Sequence, residues 1–298
     1  MNGAKDDPIQ VGVLGATSFV GASLLNKLTK TEFHPIAYTR RDIKFGTKNI
    51  EWRRLDSELS ASQKLASLTP IPFWFCLVPI AQLPNYFDLM RAHGAKRLVA
   101  LSSTSRFTKL TSSDLAEQIH VRNVADAEQR VEQWAQRHGI EWTILRPTLI
   151  YGSGQDRNIA EITRFIQRFG FFPVFGKACG LRQPLHVQDV ARACMASLHA
   201  PASINRAYNI SGAETLTYRE MVCRIFTVLE KKPRLLPIPL WMFRVAVYVL
   251  RHLPRYSKWS SAMAERMNYD MVFDHSDVVR DFEFKPRTFI LNPEDLPN

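Results

Sequence analysis

Gly12-Val-Leu-Gly15-Ala-Thr-Ser18-Phe-Val-Gly21 follows a short apolar run, Ile9 to Leu14. It leads into Ala22-Ser-Leu-Leu-Asn-Lys-Leu28, whose apolar residues recur at helical spacing. A strand, a tight glycine turn and a helix in that order make a dinucleotide-binding opening. Gly15 permits the sharp turn and a close backbone approach to a pyrophosphate, and Gly21 lets the helix pack tightly on the strand. The N-terminus of the helix offers free N–H groups and the positive end of its dipole to phosphate oxygens. Ser18 is off pattern, because a second glycine is usual there.

Outward from this loop, apolar runs alternate with helical patterns through the first half of the chain. The strand candidates are Ile9–Leu14, Pro35–Thr39, Phe73–Val78, Arg97–Leu101 and Glu141–Leu145. The helix candidates are Val20–Lys30, Leu83–His93 and Leu115–Arg137, with a further short one over Ser60–Leu68. Such alternation predicts a parallel sheet covered by helices on both faces. After Gly152 the regularity loosens. Arg168 to Gly176 reads as an aromatic loop, Val187–His199 as a helix and Ala207–Ile210 as a strand. Thr217 and Glu220 form a capping box for a helix running to Glu230. Met267 to Asp274 reads as a return strand and Asp277–Asp281 as a short helix. The expected organisation is a domain over residues 1–150 and a smaller lobe over 151–298, with segments returning to the main sheet.

The bulk properties fit this outline. The 298 residues are 46% hydrophobic and 22% charged, enough for a sizeable core. Cys76, Cys179, Cys194 and Cys223 are scattered, without the spacing of a metal site, and read as buried thiols in a reducing compartment. No group of residues has the spacing of a metal ligand set. The N-terminus lacks an apolar signal region, so a cytoplasmic location is expected. The net charge of +11 is spread in pairs such as Arg40-Arg41 and Arg53-Arg54, without a nucleic-acid motif. A small-molecule substrate is the expected partner, and nucleic acid is not.

Five further stretches follow the opening loop: Leu98-Val-Ala-Leu-Ser-Ser-Thr104, Leu145-Arg-Pro-Thr-Leu-Ile-Tyr-Gly152, Gln183-Pro-Leu-His-Val-Gln-Asp-Val-Ala191, Tyr208-Asn-Ile-Ser-Gly212 and Leu216-Thr-Tyr-Arg-Glu-Met221. In this order they resemble the NAD-dependent epimerase/dehydratase family, the extended and atypical short-chain dehydrogenases/reductases. The resemblance implies a doubly wound α/β parallel sheet of the Rossmann type with a smaller C-terminal lobe. It also implies an NAD(P)-dependent oxidoreductase that exchanges hydride at a carbinol or carbonyl carbon, with nucleotide-linked sugars as the usual substrates.

The resemblance places the cofactor along Gly15, Thr17, Ser18, Phe19, Val20 and Gly21. Asp56 matches an acidic position near the adenine. Leu77, Val78 and Pro79 match the segment passing the nicotinamide ribose, which Ser102 adjoins, while Pro147 and Thr148 flank the nicotinamide. The family selects its cofactor just after the second strand. Arg40 and Arg41 stand there and point to NADP, with NAD as the alternative.

The catalytic centre departs from the family. Thr104 matches the hydroxyl position, but the family's Tyr-x-x-x-Lys pair has no counterpart. Anchoring on Ala127-Glu128 puts His120 at the tyrosine and Val124 at the lysine. No tyrosine lies between Thr104 and Trp142, and Lys109, the sole lysine there, precedes the helix. Three readings stay open: His120 as the acid–base group, another group such as Tyr151 or His186, or a dinucleotide-binding sensor or accessory subunit without turnover. An open polar cleft facing Thr104 would favour the enzyme, and an apolar patch around Trp241 the binding module.

One more stretch stands apart. Pro239 can start a helix and Pro254 end it, with Arg244, Tyr248 and Arg251 as one polar stripe. This helix is too short for a bilayer. It is either a lobe helix over the substrate cleft or an interfacial helix making peripheral membrane contact through residues 239–253.

Overall fold

The computed structural model describes residues 8–41, 49–57, 68–108, 114–243 and 264–297. Seven strands form one parallel sheet: β1 (Ile9–Leu14), β2 (Phe33–Thr39), β3 (Glu51–Arg54), β4 (Phe73–Cys76), β5 (Arg97–Leu101), β6 (Glu141–Pro147) and β7 (Arg206–Ile210). Their spatial order is 3-2-1-4-5-6-7. The chain reverses direction across the sheet between β1 and β4, which opens a crevice at their C-terminal ends.

β1 and β4 run as apolar strings because both faces of the sheet are covered. On one face, α1 (Phe19–Leu28) and a later helix, Val187–His199, bury Val11, Val13, Leu24 and Val190. On the other, the segment Ile80–Ala92 and the long helix α2 (Leu115–Arg137) bury Leu14, Trp74, Leu89 and Val131. Below Gly12 the Trp74 indole lies where a Cβ would be, 2.6 Å from its ideal position, so no larger residue fits. The smaller lobe has its own core, in which Ile159, Ile166, Met221, Phe226 and Phe289 meet.

β1, β5, α2 and the Val187–His199 helix have the expected bounds. The Thr217 capping box is present, starting a helix over Tyr218–Val228. Four expectations need correction. β3 is a strand where none was read. Glu51-Trp-Arg-Arg looks polar because this is an edge strand, paired only with β2, where charge blocks further pairing. The aromatic stretch after Arg168 is not all loop: Phe172–Phe175 pairs in parallel with Leu235–Ile238 despite Pro173, which a two-stranded edge tolerates. The return strand at Met267–Asp274 shrinks to a single bridge between Arg182 and Met271, ahead of a helix over Ser276–Phe282. Of the four cysteines only Cys76 and Cys194 are buried; Cys179 is exposed, in the turn between the Phe172–Phe175 strand and Leu181, and Cys223 is intermediate. The Ser60–Leu68 helix apart from Leu68 itself, Lys109 and the 239–253 helix beyond Phe243 fall outside the described residues.

Candidate nucleotide site at the sheet switch point

The crevice is built from its backbone upward. Gly15 has φ +80°, and a Cβ there would sit 2.7 Å from the Leu77 carbonyl carbon and 2.8 Å from the Val78 nitrogen. The loop after β1 and the loop after β4 are thus in backbone contact, joined also by Leu77 N–H donating to the Leu14 carbonyl at 2.8 Å. Gly21 is tighter still, since a Cβ would lie 2.4 Å from the Gly15 oxygen. The close packing is between the helix and the loop backbone rather than the strand.

Ser18 is the N-cap of α1. Its hydroxyl donates to the Gly15 carbonyl at 2.8 Å and accepts from Gly21 N–H at 3.0 Å. The cap closes the turn and leaves the first-turn N–H groups of Phe19 and Val20, which precede the first intrahelical donor, Ala22, without a helical partner. No acidic residue occupies that turn. Thr17 is exposed, Ser18 and Phe19 are half-buried, and Val20 is buried in the core. This edge fits an anionic pyrophosphate, by donor supply and by the lack of an opposing carboxylate.

The neighbouring strand ends complete the edge. In the register of the sheet Leu14 lies opposite Tyr38, and Thr39 opposite Arg54. Arg40, Arg41 and Arg54, all exposed, therefore follow one another along the edge beside the glycine loop. Asp56 is exposed and faces the Arg54 guanidinium at 3.5 Å. Pro79 is exposed, Val78 half-buried and Leu77 buried.

Beyond β5 and β6 the loops are tied to each other. Ser102 N–H donates to the Leu145 carbonyl at 2.8 Å, and Thr104 N–H to the Pro147 carbonyl at 3.1 Å. The Thr104 side chain is buried, and its hydroxyl also donates to Pro147 O at 3.1 Å. Thr148 donates its hydroxyl to the Gln183 carbonyl at 2.6 Å. α2 meets this edge through Glu128, in the middle of the helix, whereas Glu117 in its first turn pairs with Arg266 of the smaller lobe. His120 lies on the exposed side, whereas Val121 and Val124 pack inward.

Two other acid–base candidates are held elsewhere. His186 caps the Val187–His199 helix through Nδ1, which accepts from Gln188 N–H at 3.1 Å, so Nε2 carries the proton toward Asp295 at 2.9 Å. Burial pushes the Asp295 carboxyl up, but the His186 hydrogen bond and Asn292 N–H outweigh it and hold the carboxyl below its usual range. Tyr151 is fully buried, and burial raises its phenol well above the ordinary value.

Sequence reasoning missed a charged knot beside Thr104. Glu128, buried on α2, accepts from the Ser102 hydroxyl, from Arg106, and from Arg146 Nη2 at 2.6 Å. Glu128 and Arg146 were both inside quoted motifs, but no spacing rule joins a helix position to a strand position 18 residues later. The knot fixes Ser102, and with it the start of the loop that ends in Thr104. Arg106 and Arg146 also stack on the exposed Phe107 ring, at 5.2 and 5.5 Å.

Residues 84–211 match the NAD dependent epimerase/dehydratase family. The family resemblance read from the motifs is thereby found again from the segment after β4 to the end of β7. Among relatives, NADH dehydrogenase [ubiquinone] 1 alpha subcomplex subunit 9 of Arabidopsis thaliana is 30% identical over 100 residues, 33% of this chain. The chain spans a quarter of that protein's length. Ceramide reductase of Caulobacter vibrioides is 24% identical over 239 residues, 77% of this chain and 73% of that one. The fold extends the likeness to the glycine loop. UDP-glucuronic acid 4-epimerase of Bacillus cereus, solved with UDP-glucuronic acid and NAD, superposes with a TM-score of 0.67 at 15% identity, covering 93% of this chain and 94% of that one.

Proposed function

We propose that this chain is an NAD(P)-dependent oxidoreductase of the epimerase/dehydratase type, exchanging hydride at a carbinol or carbonyl carbon. The observation that supports the reading is the convergence, at one sheet edge, of Gly15–Gly21, Arg40, Val78, Thr104 and Thr148, from five neighbouring strand ends. The dinucleotide supplies the hydride acceptor or donor. The chain's own residues bind and orient it. Phe19 and Val20 N–H groups face the pyrophosphate, and Arg40 with Arg41 receives the extra phosphate of NADP. Asp56 borders the adenine side, and Ser102 with Pro147 borders the nicotinamide side. Thr104, with its proton given to Pro147 O, presents lone pairs to a substrate hydroxyl and so orients it. His120 is the proton carrier on this reading, and nucleotide-linked sugars are the substrate class the family implies.

A second reading, a dinucleotide-binding sensor or accessory subunit without turnover, has two observations in its favour. Val124, which the resemblance aligns with the lysine, is a buried aliphatic side chain, and Trp241 and Met242 are exposed. Fluorescence titration with NADPH and NADH separates the outcomes. Tighter NADPH binding by roughly tenfold, lost in Arg40→Ala, supports the cofactor assignment. Absence of binding by either nucleotide overturns both readings. With binding in hand, turnover that falls in His120→Ala favours the enzyme, and binding without turnover across a panel of nucleotide sugars favours the sensor.

A further inference from the structure

The smaller lobe exposes an apolar group that the nucleotide site does not use. Phe169 is 51% exposed, Leu236 50%, Trp241 66% and Met242 47%. They sit on adjoining elements. The helix Ile159–Phe169 ends one turn before the strand Phe172–Phe175, and that strand pairs in parallel with Leu235–Ile238. Gly176 N–H donates to the Ile238 carbonyl at 3.0 Å, and the Phe175 and Phe243 rings lie 4.1 Å apart. The turn bearing Trp241 and Met242 is therefore clamped onto the same strand pair.

The charge around this face has one dominant sign. Arg168, Lys177, Lys231, Lys232 and Arg234 are exposed on or beside these elements. Arg168 lies over the Phe169 ring at 5.2 Å, and the Lys231 ammonium donates to the Gln167 carbonyl at 3.4 Å. Glu161 and Glu230 are the exposed acids on the same segments. From Lys231 to Phe243 the sequence has three lysines and arginines and no acidic residue.

A protein partner adding a strand is disfavoured here. Pro233, Pro237 and Pro239 remove N–H donors along the Leu235–Ile238 strand. Trp, Met and Leu ringed by Lys and Arg match instead the acyl boundary and headgroups of an anionic bilayer. Among the described residues no helix is long and apolar enough to cross a membrane, so the contact would be with its surface.

We propose that this face docks on the surface of an anionic lipid bilayer, with Trp241, Met242, Leu236 and Phe169 entering the interface. The test is co-sedimentation of the full chain with vesicles of phosphatidylcholine alone or mixed with phosphatidylserine. Binding should be roughly tenfold tighter to the mixed vesicles and should weaken as salt rises. Trp241→Ala with Met242→Ala should remove most of it, and Lys232→Glu with Arg234→Glu should remove the phosphatidylserine preference. Ile9→Ser, an exposed apolar site on the main sheet, should bind as the wild type does. Thermal unfolding of each variant confirms that it is folded. No vesicle binding, equal binding to both vesicles, or binding that survives in the folded Trp241/Met242 variant overturns the proposal. So does a concentration-dependent dimer that the same variant abolishes, since the face would then be covered by a second copy.

Discussion

The loop after β1 and the loop after β5 occupy the same edge of one sheet, yet they are built on different principles. The first is held by missing atoms: Gly15 and Gly21 leave room for backbone to touch backbone at distances no Cβ would allow. The second is held by charge, with the Glu128 carboxylate gathering Ser102, Arg106 and Arg146. Close backbone packing demands glycine at fixed positions, so the first region stays near the family's pattern. A charged knot can keep its loop in place while the helix surface above it changes. His120 and Val124, the positions where the sequence resemblance puts the family's Tyr and Lys, lie on that helix.

The comparison can be broken first at Glu128. Glu128→Ala leaves two guanidinium groups partly buried without their carboxylate, and should cost about 3–5 kcal/mol of stability in a denaturant titration. Glu128→Gln, which keeps a hydrogen-bond acceptor, should cost less. An Ala variant as stable as wild type would show that the knot is not what holds the second loop.

Gly21→Ala attacks the other principle. Its methyl would press on the Gly15 and Ala16 carbonyls, and about 1–3 kcal/mol of overpacking cost is expected. Unlike the Glu128 change, it should also weaken NADPH binding in the folded protein, because the helix must shift away from the loop. Unchanged affinity would separate this loop from the nucleotide.

Ser18→Ala sharpens the contrast. It removes the cap on α1 and should cost about 1 kcal/mol in thermal unfolding. Ser18→Gly should cost only a few tenths. A larger loss for glycine than for alanine would mean that the side chain fills space rather than capping.

The smallest effect lies outside both regions. Burial holds the His275 imidazole below its ordinary value, against the opposing pull of Asp274, while its Nδ1 bonds the Ser211 hydroxyl. The unfolded chain therefore binds that proton more readily. The contribution of the neutral ring is full above an unfolded pKa of about 6.5 and is lost as pH falls from there through the lower folded value. The melting temperature of the wild type should drop more between pH 7.5 and 5 than that of His275→Asn. Parallel curves would remove His275 from the pH dependence.

Much of the fold was legible because local rules sufficed. Apolar runs of strand length, helical spacing and the Thr217 cap each act within a few residues. The strands Glu51–Arg54 and Phe172–Phe175 were hidden because edge strands carry charge or proline that would disqualify a central strand. The glycine loop was legible for the same local reason, and Thr104 through its place in a motif. The partners of Thr104 and Ser102 were not, because they come from β6 and α2.

By itself the sequence determined the βα opening, the parallel alternation and the capping box at Thr217. All of these depend on residue type and short spacing. Tertiary structure alone decided that Glu128 closes on two arginines and that Thr104 gives its proton to Pro147. It also decided that Tyr151 and His186 are spent in the core, and that Trp241 and Leu236 remain exposed. Those outcomes depend on which distant segments share a surface, and on the desolvation that sharing imposes.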